Sequence, residues 1–169
     1  SPSYLNHYPM QMAFLPERPD AIVATGSHNG QNFGVSMDSG VNWFTQSEDA
    51  FLNAVRFDKD RFVKKDVHGG NVHLHAVAID PSNPLIVYVG SIHDPSTYAP
   101  KPLSGSHIFK SYDAGVTWEE IGENYPREIE TSVRVITVDP YDPDLIYLGT
   151  SEQESVVGNG LWISTDAGR

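Results

Sequence analysis

The chain has 169 residues, with 22 acidic against 11 basic side chains, a formal net charge of −11 and no cysteine. That balance argues against nucleic acid and anionic membranes as partners, and the missing thiols exclude disulfides and thiolate metal centres. No run is apolar and long enough to insert in a bilayer, and Ser1-Pro2-Ser3-Tyr4 carries no basic region followed by an apolar stretch.

In chain order, Ala13–Ser27 opens a pattern that returns twice in clearer form, at Ala78–Ser91 and Thr137–Thr150. Each copy holds a Pro-rich turn followed by an apolar run ending in Gly-Ser or Gly-Thr. Pro16, Pro81 and Pro140 mark the copies at intervals of roughly 60 residues, longer than a minimal four-stranded blade requires. A second motif follows each copy: Ser36-Met37-Asp38-Ser39-Gly40-Val41-Asn42-Trp43, then Ser111-Tyr112-Asp113-Ala114-Gly115-Val116-Thr117-Trp118, then the shorter Ser164-Thr165-Asp166-Ala167-Gly168. Between the first two copies, Ser47–Phe57 is the best helical stretch and is long enough for one turn or an irregular strand. Each repeat reads as four strands. In the third these are Val133–Asp139, Leu145–Thr150, Gly160–Ser164 and one to follow the turn; in the second the fourth strand is Thr117–Ile121. The runs at Leu85–Val89 and Leu145–Leu148 are nearly continuous and apolar, so both faces of these strands are expected to be buried, as when sheets stack around an axis.

The Ser-x-Asp-x-Gly-x-x-Trp motif has a physical job as a tight hairpin turn. Its Ser and Asp oxygens accept hydrogen bonds from turn amides that no strand satisfies. Gly40, Gly115 and Gly168 supply a positive φ. Trp43 and Trp118 are expected to fold back and bury their rings beneath the turn. On these motifs, over about residues 10 to 169, the chain resembles the BNR or Asp-box β-propeller superfamily, which includes sialidases, family 74 xyloglucanases, sortilin-type receptors and photosystem II assembly factors. The resemblance implies an all-β fold of four-stranded antiparallel blades within one domain, 1–169: blade one at about 10–46, blade two at about 72–122 and blade three at about 133–169, truncated. It also implies that Ser36, Asp38, Gly40, Trp43, Ser111, Asp113, Gly115, Trp118, Ser164, Asp166 and Gly168 are structural. Closed propellers hold about four to eight blades. The expectation is therefore a piece of a longer polypeptide, or one completed by neighbouring chains, with apolar faces on its first and third sheets.

Antiparallel alternation places the Asp-box turns and the Pro-rich turns at one end of the blades and the longer, irregular segments at the other. Irregular loops on a regular scaffold are the usual place for a ligand. The candidate binding residues are therefore His28, Asn29, His93, Asp94, Tyr98, Tyr125, Glu128, Glu152 and Glu154. His68, His73 and His75 are weak metal candidates, because residues two apart in a strand share a side and imidazoles suit zinc; spacing fixes no third ligand. No cofactor is expected. The acidic loops, with Asp66 and Glu130 added, could supply the carboxylate pair of a glycoside hydrolase or form a solvated acidic rim. A sialidase needs an arginine cluster that is not evident, and a photosystem assembly factor is expected to carry a basic patch, opposite in sign to this chain. The expected function is an extracellular or cell-surface binding scaffold for a glycan or protein ligand, with a periplasmic location as a variant. The alternative is a glycoside hydrolase, xyloglucanase-like or sialidase-like.

Overall fold

The structure is a computed structural model that describes residues 9–26, 31–56, 73–92, 107–122, 125, 132–151 and 160–169. Three sheets follow one another along the chain as the blades of an incomplete β-propeller. The first is β1 (Pro9–Leu15), β2 (Arg18–Gly26), β3 (Gln31–Ser36) and β4 (Phe44–Ser47), in that spatial order. The second is β6 (His73–Asp80), β7 (Asn83–Ile92), β8 (Ile108–Ser111) and β9 (Trp118–Ile121). The third is β10 (Ser132–Val138), β11 (Ile146–Ser151) and β12 (Gly160–Ser164).

The stretch expected as one turn or an irregular strand is both a helix and a strand. Helix α1 (Glu48–Ala54) starts at Ser47, whose hydroxyl accepts the Ala50 amide. The chain then enters β5 (Val55–Arg56), which pairs in parallel with β9 and adds a fifth strand to the second blade. Phe51 of α1 is driven into the seam between blades, tilted on Trp118 at 5.3 Å and edge-on to Phe109 at 5.2 Å.

Two cores separate the three sheets. Phe33, Val35, Phe51, Leu74, Val87 and Trp118 belong to the core between blades one and two. Ala76, Tyr88, Tyr125, Val133, Ile136 and Leu148 belong to the one between blades two and three. In the middle blade, Val87–Ser91 is buried throughout, but the expected run fails at its start, where Leu85 is exposed and Ile86 half-buried. In the third blade the expectation of two buried faces fails, because β11 alternates buried and half-buried residues. Nothing described covers its far side, and Leu161 and Ile163 of β12 stand 67% and 56% exposed there. Blade one is open on the opposite side, at Met12 (66%) and Phe14 (62%).

The inner strands β1, β6 and β10 converge on the axis, and each carries a bulge. In β6 and β10 the extra residues are His75 and Arg134, which fall between paired neighbours. A bulged residue leaves the ladder unpaired and turns the strand. Blade one takes up both freed carbonyls: Thr25 Oγ1 donates to the His75 carbonyl and Gln11 Nε2 to that of Arg134, each at 2.8 Å. Gln11 Oε1 also accepts the Val77 amide at 3.3 Å.

Candidate functional site

The three Asp-box turns share one hydrogen-bond pattern. Ser36, Ser111 and Ser164 each donate to the aspartate two residues on, at 2.9, 2.8 and 2.8 Å, and each accepts the amide of Gly40, Gly115 or Gly168 at 2.8 Å. Asp38 and Asp113 then accept the amides of Asn42 and Thr117 at 2.8 Å, and a second bond from the same residues' side chains at 2.7 Å. The turn holds two consecutive left-handed residues, Ser39-Gly40, Ala114-Gly115 and Ala167-Gly168. The glycine alone was legible from sequence. The Asn42 amide, with its side chain and Ser36, holds the Asp38 carboxyl below its ordinary range. Burial works against ionising Asp113, but the Thr117 amide and hydroxyl outweigh it and its pKa is also lowered.

The expected burial of both tryptophans holds for one of them. Trp118 is fully buried, edge-on to Phe33 at 4.9 Å. Its Nε1 donates to Gln46 Oε1 of the preceding blade at 3.0 Å. Trp43 is half-buried, with no sheet among the described residues packed over it as blade one packs over Trp118, and its Nε1 turns back to the Gly40 carbonyl at 3.0 Å.

At the opposite end, Gly26, Ile92 and Ser151 close the second strands of the three blades, far from the turns in the antiparallel register. There the structure shows a device that sequence reasoning missed. Ser91 exchanges bonds with His107: the His107 amide donates to Ser91 Oγ at 2.8 Å and the Ser91 amide to the His107 carbonyl at 2.9 Å. Thr150, the equivalent residue one repeat later, accepts the Gly160 amide at 3.2 Å and the Trp162 indole at 3.3 Å through Oγ1. Both clips join the strand ends that flank residues 93–106 and 152–159. The recurring Gly-Ser and Gly-Thr at 90–91 and 149–150 were the available signal. His107 Nδ1 also pairs with Glu120 at 2.9 Å, both side chains buried.

Of the proposed binding residues, Tyr125 is within the described set; it is buried, edge-on to Trp162 at 5.6 Å. His28, Asn29, His93, Asp94, Tyr98, Glu128, Glu152 and Glu154 lie outside the described residues, as does His68. His73 and His75 stand on β6 with the bulge between Leu74 and Ala76; His73 is buried and His75 half-buried. Among the described residues no three His, Asp or Glu side chains group to hold a metal.

Between blades two and three lies a cleft of about 350 Å³, walled by Ile108, Ile121, Tyr125, Leu148 and Trp162, with Arg169 at its edge. The buried Tyr88 also lines it, and its hydroxyl has no partner among the described residues. Burial pushes the Tyr88 phenol up. Beside it Lys110 is buried, lowered in pKa by desolvation, with its ammonium 5.0 and 4.9 Å from the rings of Tyr88 and Tyr112. It donates to the Ala167 carbonyl of the third Asp-box at 3.3 Å.

No family model matches the chain. It is 33% identical over 101 residues to the xyloglucanase Xgh74A of Acetivibrio thermocellus, covering 56% of this chain and 11% of that enzyme. Against the structure of an ancestral GH74 enzyme the TM-score is 0.55 at 12% identity, over 99% of this chain and 18% of that one. Against YCF48 bound to D1 peptide it is 0.52 at 12% identity, over 100% of this chain and 45% of that one. The chain thus spans about a tenth of the xyloglucanase it matches and under half of YCF48. No helix among the described residues is long and apolar enough to cross a membrane.

Proposed function

We propose that this chain, which has the β-propeller architecture shared by family 74 xyloglucanases and YCF48, is an extracellular binding module whose ligand, a glycan or a protein, is met by the end of the blades opposite the Asp-boxes. The observation that carries this reading is where the described carboxylates are engaged. Asp38, Asp80, Asp113, Asp139, Asp142 and Asp166 all accept hydrogen bonds within turns at the Asp-box end. At the other end Glu120 is committed to His107. These groups serve the scaffold, and the clips at Ser91 and Thr150 leave the intervening segments to vary without disturbing the ladder. YCF48 bound to D1 peptide is a precedent for peptide binding by this fold.

The test is binding to xyloglucan oligosaccharides and a panel of other glycans and peptides by calorimetry, with assay of reducing ends in parallel. Saturable binding without new reducing ends is expected, abolished when residues 93–106 are replaced by a Gly-Ser linker and retained in Asp113→Ala where that variant is folded. Binding that survives the loop replacement would overturn the assignment of the face. Release of reducing ends would establish the second reading, a glycoside hydrolase, which the 33% identity to a xyloglucanase favours. Its acid and base would then be sought among Asp66, Asp94, Glu128, Glu130, Glu152 and Glu154.

A further inference from the structure

Between blades one and two, at the Asp-box end, runs a groove of about 530 Å³. Both blades that wall it carry all four of their strands. Val35 lies buried at its base, Met37 and Phe44 stand exposed on the side of blade one, and Ala114 and the exposed Val116 of the second Asp-box close it from blade two. Val35 and Phe44 are cross-strand partners, so their side chains share the sheet face turned toward blade two.

The repeat does not require an apolar groove there. One blade on, the places of Val35, Phe44 and Val116 relative to their Asp-boxes belong to Lys110, Glu119 and Arg169. Lys110 and Glu119 are again cross-strand partners, and Lys110 reaches across that interface to the Ala167 carbonyl at 3.3 Å. Val35 has no group to bridge to Ala114, the residue equivalent to Ala167, and the groove takes the place of that bridge. Charge borders it on one sign only. No basic side chain lines it, whereas Asp38 does, and Asp113 sits in the turn beside Ala114. Both carboxyls have lowered pKa values and stay ionised at neutral pH. Among the described residues, Asp38 Oδ2 accepts from the Asn42 side chain alone and Asp113 Oδ2 from the Thr117 hydroxyl alone, so each oxygen can take a further donor.

We propose that this groove docks a basic amphipathic segment of a partner protein, which seats a large aliphatic side chain between Phe44 and Val116 and sets flanking lysines or arginines on Asp38 and Asp113. Apolar burial supplies affinity, and the two carboxylates supply orientation through charge-assisted bonds. The net charge of −11 draws a basic segment toward the surface and repels both an acidic segment and a second copy of this chain. This surface lies at the end of the blades away from the one proposed above for the ligand, so the two partners do not compete.

The experiment titrates the chain with a dye-labelled peptide in which lysines flank a pair of leucines, and with counterparts carrying serine for leucine or glutamate for lysine, following anisotropy. The lysine–leucine peptide is expected to bind in the micromolar range, about tenfold more tightly than the serine counterpart, and the glutamate counterpart not at all. Phe44→Glu combined with Val116→Arg gives the groove the charges of the next interface without changing the net charge, and is expected to weaken the peptide by about tenfold. Photo-crosslinking of the same peptide to the unaltered chain provides a readout that does not depend on how the variant folds; crosslinks are expected within residues 35–44 and 113–116. Equal affinity for the leucine and serine peptides overturns the proposal, as does undiminished binding by the folded double variant or crosslinking confined to other residues. Self-association that the double variant abolishes would overturn it as well, by making the groove an interface between copies. Failure here leaves the opposite-end binding reading untouched, since the two tests address different surfaces.

Discussion

The Asp-box turns of blades one and two are nearly superimposable in chemistry and unlike in consequence. Each serine caps the glycine amide at 2.8 Å, each aspartate accepts the amide four residues on at 2.8 Å, and each pair of turn residues is left-handed. Yet Trp118 is sealed in a core while Trp43 is half in water. The turn is thus a local unit that forms from its own residues, and the tryptophan is a long-range one whose burial depends on the sheet before it.

That contrast can be broken most strongly at the rings. Trp118→Ala should cost about 3–5 kcal/mol, the usual range for a fully buried large aromatic, whereas Trp43→Ala should cost roughly 1 kcal/mol; denaturant melts of the two variants read the difference. The glycines come next. Gly115→Ala must adopt a positive φ and place its Cβ against Phe33, and a loss of about 2–4 kcal/mol is expected; Gly40→Ala meets no side chain closer than 3.7 Å, and about 1 kcal/mol is expected. Thermal melts in which Phe33→Leu partly rescues Gly115→Ala but not Gly40→Ala would sharpen the point. Asp113→Ala should cost about 1–2 kcal/mol through its lost turn bonds. Gln46→Leu, which removes the acceptor of the Trp118 indole and one donor, should cost about 1 kcal/mol, read by denaturant melts, with a blue shift of the buried tryptophan's emission.

The smallest effect is a pH dependence. Asp38 and Asp113 have folded pKa values below their unfolded ones. Their contribution is therefore complete above an unfolded carboxyl pKa of about 3.9 and is lost as pH falls through the lower folded value. Asp113→Asn should flatten the acid limb of a stability curve below about pH 4, and an unchanged limb would show that other carboxylates set it.

Much of this architecture was legible because its signals are local and repeated. The turn motif, the Pro-rich turns at Asp80 and Asp139 and the strand ends recur at fixed offsets, and a repeat exposes them. Features set by contacts across the sheet were not legible. The bulges at His75 and Arg134 break a two-residue alternation that sequence alone presents as intact. Tyr147 looks like a blade residue in every pattern and is only half-buried, because its burial depends on a neighbouring sheet. Helix α1 falls within the best helical stretch, Ser47–Phe57, but seven residues carry too little periodicity to separate one turn from an irregular strand. For the candidate site, Tyr125 is buried edge-on to Trp162, a contact across sheets that no local pattern announces.

Gln11 has a mechanical consequence. Its carboxamide belongs to blade one, accepts from the backbone of blade two and donates to the backbone of blade three. A spoke that grips both following sheets fixes the angular step of the arc at the hub, where a small change in separation is magnified at the rim. Gln11→Leu would remove the gauge while preserving the side chain's bulk. The sheets would then be free to splay or close by degrees that small-angle scattering can read as a changed radius of gyration, with every turn and every strand still intact.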